Sequence, residues 1–531
     1  MEITGRCFIT GEWVMGTGVS FRAVSPSTGE EFGPQFREAG FDRIDRALEG
    51  ADAAFHQYAT LPLSVRATFL RMIADELMAL GEPLLTVAHL ETALPLDRLA
   101  RERTRTVQQL RAFADFIEDG TWVDARIDTA DHSRVPTPKP DVRRMLMPLG
   151  PVVVFSASNF PFAFSVAGAD TASALAAGCS VVCKAHEAHP GTSEMAAHAI
   201  ERAAVRANVP PAVFSLVQGR SHEVGLSLVR HQLTRAVAFT GSLRAGRILF
   251  DEGGARADPI PVYAEMGSIN PVFVLPLALA ARAEVIADGI AQSMLLNVGQ
   301  FCTSPGLIVA VRGAGFDVLC ARLAGHVDSA ASGTMLRPSM RTSFRDAVHL
   351  ARKRGADQLA QARPATDAEP LTVQPALLAV SAAEFLTDES WQHEIFGPVA
   401  IVVRCESMSE MLRVAHALDG QLTASVHGAS DEMPAQWDLF QVLQQKAGRV
   451  ISNGYPTGVE FGHAIHHGGP FPATTDSRST SVGSAAMARF TRPVCFQNAP
   501  QALLPEPLRD ANPVGIWRTI NGTLSRASVH S

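Results

Sequence analysis

The most constraining feature of this sequence is a repeated alternation of short apolar runs and helical patterns that begins at Pro148. Four runs have the length and composition of strands buried on both faces of a sheet, at residues 152–155, 181–183, 213–217 and 236–239. Helical patterns follow them, at residues 164–177, 193–205, 224–229 and 243–249. Repeated βα units predict a doubly wound parallel sheet, which binds its ligands at the carboxyl ends of the strands.

A second α/β pattern starts after Glu265, with apolar runs at residues 271–274, 307–311 and 399–403. The chain has 531 residues, too many for one core, so its length predicts two or three domains. Residues 41–119 have helical patterns, which we interpret as scaffold. Residues 121–147 form a polar excursion between these helices and the first βα units. It fits either an exposed hairpin that pairs with another subunit or a solvated surface loop.

Composition excludes several classes of function. The formal charge of −7 and the lack of a dense basic run argue against a nucleic-acid partner. The longest apolar stretches are interrupted before they could span a bilayer, and the N-terminal residues do not resemble a secretory signal. The seven cysteines form no CxxC pair, so we expect reduced thiols, no metal site and a cytoplasmic location.

Cys302 is a candidate nucleophile. It lies between a helix-like apolar run at residues 286–298 and the apolar run at 307–311. A rigid scaffold can aim a side chain from such a junction, and a thiolate there would attack a carbonyl carbon. The alternative is a buried structural thiol, which is the commoner fate of a lone cysteine.

Two polar residues at strand ends are candidate partners of this cysteine. Asn159 follows the first strand, where its amide would donate to a developing oxyanion or form a turn before Pro161. Glu265 ends an apolar strand, where apolar neighbours would raise its pKa and suit it to general-base catalysis. The alternative for Glu265 is a buried carboxylate paired with a lysine.

No GxGxxG fingerprint follows a strand, and the candidate for phosphate binding is the turn at residues 239–246. There Gly241, Ser242 and Gly246 connect a strand to a helix whose free N–H groups attract anions, although a plain tight turn is the alternative. Lys184 and Glu187 follow the second strand. They would reach an adenosine ribose as donor and acceptor, or lie in a solvated loop.

Five stretches together resemble the aldehyde dehydrogenase superfamily, in the order of that superfamily and over nearly the whole chain. They are Asn-Phe-Pro-Phe at 159–162, Phe-Thr-Gly-Ser at 239–242, Glu-Met-Gly-Ser-Ile-Asn-Pro at 265–271, Gly-Gln-Phe-Cys-Thr at 299–303 and Glu-Ile-Phe-Gly-Pro at 394–398. The resemblance implies a cysteine nucleophile at Cys302, a general base at Glu265 and an oxyanion donor at Asn159, joined by the backbone N–H of Cys302.

The resemblance also implies a nicotinamide coenzyme, NAD or NADP. It assigns Lys184 to the adenosine ribose, Ser242 to the pyrophosphate, and Glu394 to the nicotinamide ribose, with Phe396 close by. A carboxylate at position 187 would repel a 2′-phosphate and suits the free 2′-hydroxyl of NAD.

Three stretches near the C-terminus, residues 453–459, 467–474 and 492–498, resemble the group of this superfamily that oxidises 2,5-dioxovalerate, also called α-ketoglutarate semialdehyde. The expected reaction gives 2-oxoglutarate, and we expect Phe162 at the substrate and Arg478 as one candidate cation for its carboxylate. An NADP-dependent fatty or other aliphatic aldehyde dehydrogenase is the alternative within the superfamily.

The resemblance divides the chain into a Rossmann-type coenzyme-binding domain (1–120 and 148–264), an α/β catalytic domain (265–470), oligomerisation segments (121–147 and 471–500) and a C-terminal tail (501–531). It implies a homodimer or homotetramer in which the segments near 121–147 and 490–498 pair across a subunit interface. Two other classes remain open: a cysteine hydrolase using Cys302 with His186 or His467, and a non-catalytic binding protein on the same fold.

Overall fold

The computed structural model describes residues 2–364 and 370–529. In these ranges the strands, β1 to β23 in chain order, are Cys7–Ile9, Glu12–Val14, Ser20–Val24, Glu31–Arg37, Arg126–Asp128, Val142–Pro148, Val152–Phe155, Val181–Lys184, Phe214–Val217, Ala236–Thr240, Val262–Glu265, Val272–Val274, Leu307–Val311, Gly333–Thr334, Asp357–Gln361, Thr372–Val373, Ala376–Ser381, Val399–Cys405, Gln421–His427, Ala447–Ser452, Thr491–Gln497, Arg518–Ile520 and Thr523–Ser525. The helices, α1 to α15, are Phe41–Tyr58, Leu63–Ala79, Gly81–Thr92, Leu96–Asp119, Ala169–Ala177, Pro190–Ala207, His222–Arg230, Leu243–Ala255, Pro276–Leu295, Phe316–Ser329, Pro338–Lys353, Ala382–Thr387, Met408–Ala417, Glu432–Ala435 and Trp437–Lys446.

The first sheet joins seven strands in the order β11-β10-β7-β8-β9-β1-β2. Strands β7 to β11 are parallel, and β1 and β2 extend the β9 edge in antiparallel fashion. All four residues of β7 are buried, as expected for a strand covered by helices on both faces. The strand order reverses between β10 and β7, so their carboxyl ends flank a crevice of the kind that binds ligands.

The helix predicted over residues 164–177 begins later, at Ala169. Glu102 of α4 accepts hydrogen bonds from the backbone N–H groups of Phe162 and Ala163, both at 2.9 Å. A Cβ at Gly168 would lie 2.5 Å from the carbonyl oxygen of Ala163, so the chain folds tightly on itself there. The segment between β7 and α5 is therefore a fixed loop, while α8 runs to Ala255, beyond its predicted end near Leu249.

The second sheet also has seven strands, in the order β15-β17-β18-β13-β12-β19-β20. All its neighbours are parallel except β15, which runs antiparallel to β17. Helix α9 leads into a short 3₁₀ turn at Leu296–Gly299, and the chain then passes through Cys302 to β13. Val298 has a φ of 60°, which a β-branched residue rarely adopts. A Cβ at Gly299 would clash with the backbone of Gly397, so this turn is tightly fixed.

A third sheet of five strands has the order β21-β6-β5-β22-β23. Strands β6 and β21 pair over seven residues within one chain, from Pro148 opposite Thr491 to Val142 opposite Gln497. The two segments expected to pair across a subunit interface therefore pair with each other within one chain, edge to edge as antiparallel strands. The tail is also part of this unit: β22 pairs with β5, and Leu508 and Ile516 pack in the same small core.

No helix in the described ranges is long and apolar enough to cross a membrane.

Candidate active site

Cys302 lies half-buried on the loop between α9 and β13, with a free thiol. Its Sγ atom lies 3.9 Å from Nε2 of His467. Asn270 fixes the backbone of this loop, since its side-chain amide donates to the carbonyl oxygens of Cys302 at 2.8 Å and Ser304 at 3.0 Å. The Cys302 loop is thus fixed by Asn270, which directly precedes β12, and the Cys302 sulfur faces His467.

His467 connects Cys302 to Glu265. Its Nδ1 atom lies 2.7 Å from Oε2 of Glu265, and both side chains are nearly fully buried. Ser481 donates a second hydrogen bond to the same carboxylate oxygen at 2.6 Å. If Nδ1 carries the proton and donates to Glu265, Nε2 is free to accept from the Cys302 thiol. The three side chains therefore form a continuous path for a proton.

Electrostatics differ from the expectation at Glu265. Burial by itself would raise its pKa, but the charge of His467 and the hydrogen bonds from His467 and Ser481 outweigh it and lower the pKa. The prediction of a raised pKa is wrong because local pattern shows the burial of Glu265 but not the partners, His467 and Ser481, that packing brings to its carboxylate. The pKa of Cys302 is raised well above its ordinary value by burial, and next by the charges of Glu265 and Glu394. The unliganded thiol is therefore protonated and needs a base.

Asn159 lies at the carboxyl end of β7 and is 9% exposed. Its amide nitrogen donates to the carbonyl oxygen of Gln300 at 3.1 Å, which directs the amide towards the Cys302 loop. Arg98 holds the backbone of Asn159 by donating to its carbonyl oxygen at 2.7 Å. An amide has two N–H donors, and the bond to Gln300 uses one. This arrangement fits the predicted role as an oxyanion donor.

A cleft of about 480 Å³ extends from Cys302 to the end of β10, which is within the usual range for a ligand site. Ser242 is the N-cap of α8, and its hydroxyl accepts from the backbone N–H of Ala245 at 3.3 Å. A Cβ at Gly246 would meet Met266, so glycine allows α8 to approach the sheet closely. Within the described residues the hydroxyl of Thr240 in the cleft is buried without a hydrogen-bond partner. A helix N-terminus and an unpaired hydroxyl fit a pyrophosphate.

The other predicted coenzyme residues also lie around this cleft. Glu394 and Phe396 line it, and burial raises the pKa of Glu394 to about 8. Lys184 donates to the carbonyl oxygens of Gly219 at 2.7 Å and Ala185 at 3.1 Å. Glu187 forms an ion pair with Arg337 at 2.6 Å. The lysine and glutamate are therefore adjacent to the predicted ribose site, but each already has a protein partner.

Two expected substrate residues are placed away from the cleft. Phe162 is 2% exposed and packs into the core among the helices, whereas its neighbours Phe160 and Phe164 line the cleft. The loop turns the Phe162 ring inwards because Glu102 fixes its backbone N–H. Arg478 has an 89% exposed side chain and pairs with Asp476 of its own turn. Neither residue is in a position to contact a substrate at Cys302.

Helix α4 supplies functional side chains that the sequence reasoning treated as scaffold. Arg98 and Glu102 form a buried ion pair at 2.8 Å, and the Arg98 guanidinium also lies over the rings of Phe160 and Phe301. Arg105, one turn further on, is half-buried, and its charge favours the Cys302 thiolate. The signal in the sequence is charged residues at i, i+4 and i+7, which share one helix face.

Ligand atoms of Glu265, Cys302 and His467 lie within 4.8 Å of one another. A thiol, an imidazole and a carboxylate at this spacing have the ligand types of a zinc site. The same three groups, connected by hydrogen bonds, also form a nucleophile with its acid–base partners. The sheet topology, the cleft at the strand reversal and these three side chains together are those expected of an enzyme that binds a nucleotide and uses a cysteine nucleophile.

Comparison with known proteins identifies the family. The family model described as "Aldehyde dehydrogenase family" matches residues 13–472. Alpha-ketoglutaric semialdehyde dehydrogenase 2 of Azospirillum brasilense is 47% identical over 529 residues, covering 98% of this chain and 99% of that protein. Alpha-ketoglutaric semialdehyde dehydrogenase of Acinetobacter baylyi is 42% identical over 528 residues, covering 99% of each chain.

The fold is similar to that of betaine aldehyde dehydrogenase from Staphylococcus aureus, with a TM-score of 0.81, 20% identity, and coverage of 94% of this chain and 98% of that one. The chain belongs to the aldehyde dehydrogenase family. It is an oxidoreductase that acts on aldehydes.

Proposed function

We propose that this enzyme oxidises 2,5-dioxovalerate to 2-oxoglutarate, with NAD or NADP as the hydride acceptor. Two relatives that match it over almost their full lengths carry names for this activity. The observation that carries the proposal is the set Cys302, His467 and Glu265, joined by contacts of 3.9 and 2.7 Å at the end of the cleft. The chemistry of an aldehyde dehydrogenase needs a nucleophile and a base at this spacing.

In the first step the Cys302 thiol gives its proton to Nε2 of His467 while its sulfur bonds to the aldehyde carbon. The carbonyl electron pair moves to oxygen, and the amide of Asn159 with the backbone N–H of Cys302 holds the resulting oxyanion of the thiohemiacetal. NAD(P) bound in the cleft supplies the acceptor for the hydride that leaves this carbon. The C=O bond re-forms, and Cys302 then carries a thioester.

In the second step Glu265 and His467 activate water. Nε2 of His467 first releases to solvent the proton it took from Cys302, while the Glu265 carboxylate holds the imidazole through Nδ1–H. A water molecule then gives a proton to Nε2 as its oxygen bonds to the thioester carbon. The carbon–sulfur bond breaks, the sulfur leaves as the thiolate, and the carboxylic acid is released. A carboxylate with a lowered pKa stays ionised through this cycle and therefore stabilises a positive charge on His467.

We assign the coenzyme to the cleft around Ser242, Gly246, Glu394 and Phe396. The N-terminal N–H groups of α8 and the Ser242 hydroxyl would bind the pyrophosphate, while Lys184 and Glu187 flank the adenosine ribose. All seven cysteines are free thiols, including the exposed Cys495, which suits a reducing compartment, and we propose the cytoplasm.

The distal carboxylate of 2,5-dioxovalerate needs a cation, and we propose Arg105. Within the described residues its Nε atom is buried without a hydrogen-bond partner, and burial lowers its pKa. Arg98 and Glu102 on the same helix face contact the loop that carries Asn159, so Arg105 lies beside the entrance to Cys302. The other cation whose charge acts on Cys302, Arg449, already donates to the carbonyl oxygens of Pro456 and Gly458.

The test is a panel of aldehydes, 2,5-dioxovalerate against pentanal and longer neutral aldehydes, assayed with NAD and NADP. We expect the highest kcat/KM for 2,5-dioxovalerate. Arg105→Ala should lower this value at least about tenfold more than it lowers kcat/KM for pentanal, which loses only the effect of the Arg105 charge on the Cys302 thiolate. Arg101→Ala on the exposed face of α4 is the matched control. Preference for long neutral aldehydes would instead establish the fatty aldehyde alternative.

The Cys302, His467 and Glu265 geometry also fits a cysteine hydrolase, and one comparison separates the two reactions. Cys302→Ala should bind coenzyme normally but form no reduced nicotinamide, since only the nucleophile is removed. If the wild-type enzyme hydrolysed esters but formed no reduced nicotinamide with any aldehyde of the panel, the proposed dehydrogenase reaction would be withdrawn.

A further inference from the structure

Glu187 and Arg337 form an ion pair across the cleft. Nη2 of Arg337 lies 2.6 Å from Oε1 of Glu187, with side-chain exposures of 33% and 16%. Glu187 follows β8 of the first sheet, whereas Arg337 is the N-cap residue of α11, which belongs to the second α/β unit. The pair therefore joins two separate parts of the chain at the predicted ribose site.

Arg337 is the principal direct partner of Glu187. Lys184, which the sequence places next to it, donates instead to the carbonyl oxygens of Gly219 and Ala185. His186 approaches the other carboxylate oxygen at 3.7 Å. Burial alone would raise the pKa of Glu187, but the charges of His186, Lys184 and Arg337 lower it to about 2. The carboxylate is ionised, and Arg337 is the cation in closest contact with it, at 2.6 Å.

The segment that carries Arg337 is held against the Cys302 loop. The backbone N–H of Leu336 donates to Oε1 of Gln300 at 3.0 Å, and Nε2 of Gln300 donates to the carbonyl oxygen of Thr334 at 3.3 Å. Arg337 itself lines the same cleft as Ser242 and Cys302. Its backbone is thus fixed, while its partly exposed guanidinium can turn within the cleft.

We propose that Arg337 is a coenzyme-selecting residue that neutralises Glu187 and supplies the cation for the 2′-phosphate of NADP. This inference rests on the proposed assignment of the adenosine ribose to Lys184 and Glu187. An arginine presents five donors in a fork that matches phosphate, and the contact with Glu187 uses one terminal nitrogen. With NAD the guanidinium stays on Glu187, whose free oxygen accepts from the ribose hydroxyls.

The inference changes the expected coenzyme preference. A lone carboxylate beside the ribose would repel a 2′-phosphate and make the enzyme selective for NAD. A carboxylate already paired with arginine presents little net charge, so the enzyme accepts both coenzymes. Glu187 then limits NADP binding mainly by holding Arg337 away from the phosphate.

The experiment measures equilibrium binding of two fragments, 2′,5′-ADP and 5′-AMP, by calorimetry, so that no catalytic step is needed. Arg337→Ala should weaken 2′,5′-ADP binding by about tenfold or more and 5′-AMP binding by less than about threefold. Glu187→Gln should strengthen 2′,5′-ADP binding, because it releases Arg337. Arg341→Ala, on the same helix and bonded to the carbonyl oxygen of Thr372, is the matched control and should bind both fragments normally.

Equal weakening of both fragments in Arg337→Ala would indicate a structural role and overturn the inference, as would unchanged 2′,5′-ADP affinity. A separate assay, NAD(P)-dependent aldehyde turnover, tests the proposed function. If the wild-type enzyme turns over aldehydes but neither fragment displaces coenzyme, the ribose assignment and this inference both fail while the dehydrogenase activity stands.

Discussion

At the residue scale, the chemistry depends on one proton path through Cys302, His467 and Glu265. His467 lies between a thiol whose pKa is raised by burial and a carboxylate whose pKa is lowered. A thiol that is protonated at rest does not attack a carbonyl until a base removes its proton. The histidine is the nearest base, so we expect it to limit both formation and hydrolysis of the thioester.

His467→Gln should lower kcat by about 10²-fold or more, because an amide cannot take a proton from Cys302. Stopped-flow absorbance of reduced nicotinamide should show a slow first turnover in this variant. In Glu265→Gln the first turnover should slow less than in His467→Gln, because the glutamine oxygen can still accept from Nδ1–H of His467, and the steady-state rate should fall. A normal rate in either variant would show that another base acts.

Glu394 gives a pH prediction. Its pKa is raised to about 8 by burial, so the folded state holds its proton more tightly than the unfolded chain does. The stability this provides is fully present below the ordinary carboxyl pKa and is lost as the pH rises through about 8. Glu394→Gln should therefore flatten the fall of Tm between pH 6 and 9, measured without coenzyme. An identical fall in both proteins would contradict this.

At the element scale, helix α4 acts as the support of the active-site loop. Its buried pair, Arg98 and Glu102, fixes the carbonyl oxygen of Asn159 and the N–H groups of Phe162 and Ala163. The loop between β7 and α5 contains Asn159, so its position depends on a helix that precedes it by some 60 residues. An apolar helix face could pack there but could not satisfy these backbone groups.

Glu102→Ala should destabilise the fold by roughly 3 kcal/mol or more, because it leaves Arg98 buried without its partner. It should also lower kcat, since Asn159 loses its fixed position. The matched control is Asp97→Ala, which removes the exposed pair with Arg101 at the same i, i+4 spacing. That change should leave the stability almost unchanged, because water screens an exposed ion pair. Equal effects in urea denaturation would show that α4 does not hold the loop.

At the scale of the whole molecule, the five-stranded sheet ends in β21 on one side and β23 on the other. Because β21 covers the edge of β6 within one chain, the unpaired edge of the sheet on this side is the outer edge of β21. Open edges of seven-residue strands favour pairing with another chain. The expected assembly is therefore built on the outer edge of β21.

We expect at least a dimer, in keeping with a homodimer or homotetramer, because most such edges are covered by a symmetric partner. Light scattering over a concentration series in the micromolar range measures this directly. A monomer throughout that range would contradict the prediction, and would leave β21 as an edge protected by its own exposed polar residues.

The sequence by itself determined the parallel strands of the first sheet, three of the seven strands of the second sheet and the chemical type of the main site residues. Buried parallel strands are continuous apolar runs, and a nucleophile, an amide and a carboxylate at strand ends can be read from local pattern and resemblance. Local pattern gave the wrong start of α5, because the preceding loop is fixed by a side chain distant in sequence. Glu102 accepts from the backbone N–H of Phe162 and so keeps this segment in a loop conformation.

Tertiary structure alone decided which side chains meet. His467 reaches Glu265 across 202 residues, and Arg337 reaches Glu187 from another α/β unit. It also turned Phe162 into the core, left Arg478 in solvent and lowered the pKa of Glu265. The physical reason is that strand and helix patterns depend on neighbours along the chain, whereas a pKa or an ion pair depends on which groups packing brings within a few ångströms.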